Sequence, residues 1–226
     1  MKLRGAISGF GEVAARGHLP GWLTREGVGI VAIHEPIAAR REVAMRMLKG
    51  ARIYDDLGLM LDGESPDFVD IASPPALHAN AIRTALESGA HVLCEKPLCL
   101  DLAEFDALTK LAAERARILM CVHNWKHAPA LAVMRDALAS GRLGTSRFLS
   151  IDRMRTEPAG GAGKWRSETA SGGGILIDHG WHAFYLAQWL MGDAPQTVSA
   201  ALSHQDGLDD MADIRLMFPG DRVARI

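Results

Sequence analysis

Between residues 3 and 123, short runs that are apolar on both faces alternate with stretches whose apolar positions recur at helical spacing. The runs 3–8 (LRGAIS), 29–35 (GIVAIHE), 51–55 (ARIYD), 67–73 (DFVDIAS), 91–95 (HVLCE) and 117–123 (RILMCVH) read as strands. The stretches 38–49, 56–62, 76–89 and 102–116 read as helices, and 10–23 as a turn leading into one. Arg and Glu populate the wet face of 38–49, and Gly89 stands where a helix C-cap is needed. Apolar strands separated by helices predict a parallel sheet covered on both sides. Beyond residue 123 the pattern changes. AFYLAQWLMG (183–192) reads as a buried helix, while TVSAALS (197–203) and MADIRLMF (211–218) alternate like half-buried strands. Pro219-Gly220-Asp221 marks a hairpin turn between strands. The expected class is α/β, with one domain over 1–123 and a second over 124–226.

The first strand-to-helix turn is GFGEVA, which places Gly9, Gly11 and Ala14 at dinucleotide-fingerprint spacing with Phe10, Glu12 and Val13 between them. Gly9 permits a tight turn, Gly11 lets a pyrophosphate approach the amides at the helix start, and Ala14 lets the helix pack on the strand. Glu35 closes the second strand, where a carboxylate would meet the ribose hydroxyls. Arg40 and Arg41 follow it and would soften repulsion of a 2′-phosphate, so NAD is expected, with NADP possible. Two later strand ends also carry polar chemistry, Ser73-Pro74-Pro75 with His78 behind it, and Glu95-Lys96-Pro97. Ligands of open α/β sheets bind outside the carboxyl ends of the strands. Ser73, Pro74, His78, Glu95, Lys96 and Asn124 therefore join Gly9, Phe10, Gly11, Glu12, Val13, Ala14 and Glu35 as expected cofactor contacts.

Composition narrows the partners. The 226 residues, 48% hydrophobic, can bury one good core or two small ones. Lys and Arg number 25 against 27 Asp and Glu, a net charge of −2 that suits neither a nucleic acid nor an anionic membrane as partner. Cys94, Cys99 and Cys121 lie in apolar runs and read as buried thiols of a reducing compartment. No apolar stretch reaches membrane-spanning length, and a strand begins at once at the N-terminus. A cytoplasmic protein is expected.

The stretch GGGILIDHGWH (172–182) places three glycines before Asp178 and His182, which stand four apart at the head of an apolar helix. Residues four apart are helix neighbours, so the two should share a face. A helix-end carboxylate beside a half-buried His is the plainer reading; Lys96 and the glycine turn favour chemistry. Asp178, His179 and His182 could also ligate a metal, but no Cys or further carboxylate stands at ligand spacing, and none is expected.

These stretches together resemble the Gfo/Idh/MocA oxidoreductases, which include glucose-fructose oxidoreductase and inositol dehydrogenase. The resemblance is carried by GFGEVAARGHLP, by DIASPPALHANAIRTALESGAHVLCEKPL with its Glu-Lys-Pro motif, by VHNWKHAPA, by KWR, and by SGGGILIDHGWH. It implies an N-terminal Rossmann domain and a C-terminal α+β domain on an open, mostly antiparallel sheet. Relatives of this kind run further, so the second sheet is expected to be incomplete here. The resemblance further implies a cis Lys96–Pro97 bond and hydride exchange between a nicotinamide and a sugar, polyol or related hydroxy or keto compound. Residues matching Lys96, Asp178 and His182 line the family's substrate pocket. His182 would take the hydroxyl proton, since imidazole titrates near neutrality. Lys96 would stabilise alkoxide charge, and Asp178 would orient the sugar or the imidazole. Trp125, Lys126, Trp165 and Arg166 are further candidates to shape that pocket. A homo-oligomer is expected, a dimer formed after Gly144 being favoured. The alternatives are a non-catalytic dinucleotide sensor of the same fold, or an inactive short member.

Overall fold

The computed structural model describes residues 2–154, 164–168 and 171–226; within these the side chains of Lys164 and Ser167 lie outside the description. The chain divides into two compact units, Met1–Val122 and His123–Ile226.

The first unit is built on six parallel strands: β1 (Leu3–Ser8), β2 (Val28–His34), β3 (Arg52–Tyr54), β4 (Phe68–Ile71), β5 (His91–Cys94) and β6 (Leu119–Cys121). Their order is β3-β2-β1-β4-β5-β6, so the connections reverse between β1 and β4. Five helices join them: α1 (Leu19–Leu23), α2 (Ala38–Met47), α3 (Leu57–Glu64), α4 (His78–Glu87) and α5 (Leu102–Glu114). Side chains alternate across the strands, which is why the strands are apolar throughout. Ala6, Val69, Ile71 and Val92 pack with Ile82 and Leu86 of α4 and Leu108 of α5. Ile7 and Ile33 pack on the other side with Phe10, Leu19 and Ala44. Asp56 and Asp101 cap α3 and α5 by accepting from the amides of Leu59 and of Ala103 and Glu104. Two differences from the sequence pattern stand out. β6 is only three residues long, and the helix after the glycine turn passes through a π-helical turn over Ala14–His18. Burial pushes the Cys94 thiol up and that of Cys121 to about 12, so both are poor nucleophiles.

The second unit holds α6 (Pro129–Ala139), β7 (Phe148–Ser150), α7 (Trp181–Met191), β8 (Thr197–Gln205), β9 (Leu208–Phe218) and β10 (Arg222–Arg225). The sheet order is β7-β10-β9-β8; β8–β9 and β9–β10 pair antiparallel, and β10–β7 parallel. The turn between β9 and β10 is where the sequence puts it, with Gly220 and Asp221 at φ 74 and 56. α7 covers one sheet face: Ala187 and Met191 pack on Ile214, Leu216, Phe218 and Ala224. The alternating apolar residues of MADIRLMF are therefore already covered. The opposite face is mixed, with Phe148, Val223, Met217 and Thr197 in one cross-strand row and the Arg225–Asp213 ion pair further along. Among the described residues no helix is long and apolar enough to cross a membrane.

Candidate active site

The glycine turn sits at the end of β1, beside the point where the strand order reverses. Gly9 has φ +87, and a Cβ there would lie 2.7 Å from the Ser73 amide nitrogen, so only glycine lets these two strand ends approach. At Gly11 a Cβ would meet nothing within 4 Å, and the turn is open on that side. Ala14 is fully buried, as close helix–strand packing requires, while Val13 is exposed. Glu35 is only 2% exposed; its carboxylate accepts from the Phe10 amide at 2.7 Å and the Ile37 amide at 2.9 Å. The carboxylate thus holds the turn from within, with the Arg40 guanidinium 4.0 Å away. Arg41 donates to the Glu35 and Pro36 carbonyls. Glu12 is exposed and pairs with Arg16. The Ser73 hydroxyl is buried without a hydrogen-bond partner among the described residues. An open glycine at a helix start, with an unsatisfied hydroxyl at a neighbouring strand end, fits a pyrophosphate.

Pro74 leads into a short 3₁₀ turn, Pro75–Leu77, and then α4. His78, at 0% exposure, faces the Ser73 carbonyl with Nε2 at 2.7 Å and the Pro97 carbonyl with Nδ1 at 2.6 Å. Burial holds its pKa below the ordinary value, against the pull of the two carbonyls. It is a strut between the two strand ends. The Lys96–Pro97 bond is cis. Glu95 accepts from the Lys96 amide at 3.0 Å and from His18 Nε2 at 3.1 Å.

In the second unit, a π-helical turn over Leu176–Gly180 precedes α7, and such turns recur at functional sites. Asp178 lies in this turn and His182 in α7; each is 8% exposed. Asp178 accepts from Arg166 Nε at 2.9 Å, and His179 Nε2 lies 3.5 Å from the same oxygen. His182 Nδ1 lies 2.9 Å from the Tyr185 hydroxyl, and that hydroxyl accepts from the Trp125 amide at 3.2 Å. Trp125 stacks on the His182 ring with centroids 4.5 Å apart, and Arg153 covers the indole. Trp165 carries the Arg166 guanidinium 4.3 Å over its ring, and Lys126 Nζ lies 5.4 Å from the Tyr185 ring. Asn124, itself exposed, opens a 3₁₀ turn over Asn124–His127. A cavity of about 770 Å3, lined among others by His123, Lys126, Trp181, Tyr185 and Gln188, opens beside this cluster; neither Asp178 nor His182 lines it. Among the described residues no three His, Cys, Asp or Glu side chains are placed to hold one metal ion. Tyr185, three residues past His182 on the same helix, is the partner that sequence reasoning missed, although its spacing was there to read.

Fold and glycine turn are those of a dinucleotide-binding α/β class of protein, with a second α+β unit. The chain belongs to the Gfo/Idh/MocA family. Residues 3–123 match the model described as "Oxidoreductase family, NAD-binding Rossmann fold", and residues 131–226 match the "GFO/IDH/MocA C-terminal domain". It is 31% identical to D-apiose dehydrogenase of Paraburkholderia graminis over 88% of its own length and 52% of that protein. It is 28% identical to D-glucoside 3-dehydrogenase of Escherichia coli over 84% of its length and 54% of that protein. The chain thus spans about half the length of these curated relatives. Its fold is similar to that of an NAD-binding protein from Listeria innocua (TM-score 0.92, 26% identity, 100% of this chain and 66% of that one). The WlbA dehydrogenase of Bordetella pertussis, solved with NADH and UDP-GlcNAcA, shares the fold at TM-score 0.93 and 22% identity, covering 100% of this chain and 71% of that one.

Proposed function

We propose that the chain carries out NAD-dependent hydride exchange at a hydroxyl or keto carbon of a sugar or polyol, with Lys96, Asp178 and His182 as the catalytic residues. The observation that carries this reading is the arrangement at the strand ends of the first unit. The open Gly11 turn follows β1, Ser73 follows β4, and Lys96 follows β5, three neighbouring strands. Bound NAD would supply the hydride acceptor at its nicotinamide. The residues supply the rest. His182, its Nδ1 against the Tyr185 oxygen beside the Trp125 amide, takes the substrate's hydroxyl proton. Lys96 Nζ donates to the same oxygen as charge develops on it. Asp178, held by Arg166, accepts from a neighbouring substrate hydroxyl. The names of the two dehydrogenase relatives support the sugar class. A panel of sugars, glycosides and polyols, followed by NADH absorbance, tests the reading; no turnover on any would favour the sensor alternative.

On the cofactor, the Glu35 carboxylate keeps acceptor capacity beyond its two amide bonds, and Arg41 is committed to backbone carbonyls. Arg40 alone is left to meet a 2′-phosphate. Calorimetric titration is expected to show NAD binding more tightly than NADP; the reverse order would overturn the assignment. We also propose a homodimer through the sheet face opposite α7, where Phe148 is 63% exposed in a row with Val223 and Met217. Light scattering at micromolar concentration should give twice the chain mass, whereas a monomer that binds no apolar dye would refute it.

A further inference from the structure

We propose that His18 is a positioning residue for Lys96: its ring bridges Asp70 and Glu95 and so holds the Glu95 carboxylate against the Lys96 amide. The inference rests on the reading of Lys96 as catalytic. His18 ends the π-helical turn that follows the glycine turn. Its Nδ1 lies 2.9 Å from Asp70, and its Nε2 3.1 Å from Glu95. Carboxylates only accept, so both ring nitrogens must carry hydrogen and the ring is a cation between two anions. Asp70 is 0% exposed and also accepts from Trp22 Nε1 at 2.6 Å. A carboxylate so buried is costly without a countercharge, and His18 provides it. Burial disfavours the charged ring, but the bonds and charges of Asp70 and Glu95 outweigh it and raise its pKa to about 10. For Glu95 burial likewise works against the charged form, and His18 and Lys96 prevail, lowering its pKa.

The geometry makes this more than a core ion pair. Asp70 belongs to β4, Glu95 follows β5, and His18 lies on the helix that starts at the dinucleotide turn. One ring therefore ties three segments that meet at the proposed site. Glu95 spends its second oxygen on the Lys96 amide, and its own amide donates to Ile71 at 2.8 Å. On the other side of Lys96, His78 holds the Pro97 carbonyl. The lysine backbone thus sits between two histidine anchors, His18 acting through Glu95 and His78 through the Pro97 carbonyl.

The test uses the full 226-residue chain. In wild type, imidazole nitrogen NMR at neutral pH should show His18 protonated on both nitrogens, with a titration midpoint well above neutrality; this needs no variant. His18→Gln keeps a donor where Nε2 reaches Glu95, and His18→Asn keeps one where Nδ1 reaches Asp70. Competitive acetylation of Lys96 by acetic anhydride, read by mass spectrometry, should rise several-fold in His18→Asn and stay near wild type in His18→Gln. A neutral His18 ring, or equal Lys96 acetylation in all three proteins, would overturn the proposal. If Lys96→Ala left turnover intact while His18→Asn still unmasked Lys96, positioning would stand and only the catalytic role of the lysine would fall.

Discussion

His182→Ala is expected to lower turnover about 10²–10⁴-fold, the usual worth of a positioned proton transfer, with NADH affinity nearly unchanged. The separation follows from where the groups lie. The glycine turn and Glu35 belong to β1, β2 and the helix between them, in the first unit, and His182 belongs to the second. Lys96→Ala should cost at least as much as His182→Ala, because it removes both a charge and a hydrogen bond at the reacting oxygen. Tyr185→Phe gives an internal comparison. It keeps the ring that packs beside His182 but deletes the hydroxyl at 2.9 Å from Nδ1, so its loss should be real and smaller. Stopped assays on whichever sugar the wild-type chain converts would measure all three. Wild-type turnover in either alanine variant would sink the assignment.

Much of the first unit was legible because its signals are local. A buried parallel strand must be apolar on both faces, and the GFGEVA turn carries its glycines within six residues of each other. The bonds that complete the site are not local. His18 meets carboxylates 52 and 77 residues away, and no spacing in the sequence announces that. The two π-helical turns were equally silent, since an extra residue per turn leaves the apolar pattern almost intact. α6 has apolar residues in its sequence but none that is buried in the fold, and the three residues of β7 are too few to show alternation. Glu35 was placed correctly at the end of β2, yet its inward aim toward the Phe10 amide depends on tertiary packing. Tyr185 is different: it sits three residues past His182 and could have been read from helix geometry alone.

Gly9→Ala and Gly11→Ala should separate folding from binding at one turn. At Gly11 an added Cβ meets no atom of the chain within 4 Å, so the variant should unfold at the wild-type temperature. The same methyl would project into the space proposed for the pyrophosphate. Overpacking of that kind costs about 1–3 kcal/mol, or roughly a 5–150-fold rise in Kd for NADH. At Gly9 the methyl would lie 2.7 Å from the Ser73 nitrogen and 2.9 Å from its Cα, both backbone atoms that cannot rotate away. The φ of +87 adds the left-handed penalty that side chains other than glycine incur. Gly9→Ala should therefore lose about 2–4 kcal/mol of stability as well as NADH affinity, because the ends of β1 and β4 must part. Thermal unfolding beside fluorescence titration with NADH reads both quantities on the same samples. Unchanged NADH affinity in Gly11→Ala would show that the dinucleotide does not cross this turn, and wild-type melting of Gly9→Ala would show that the two strand ends do not meet there.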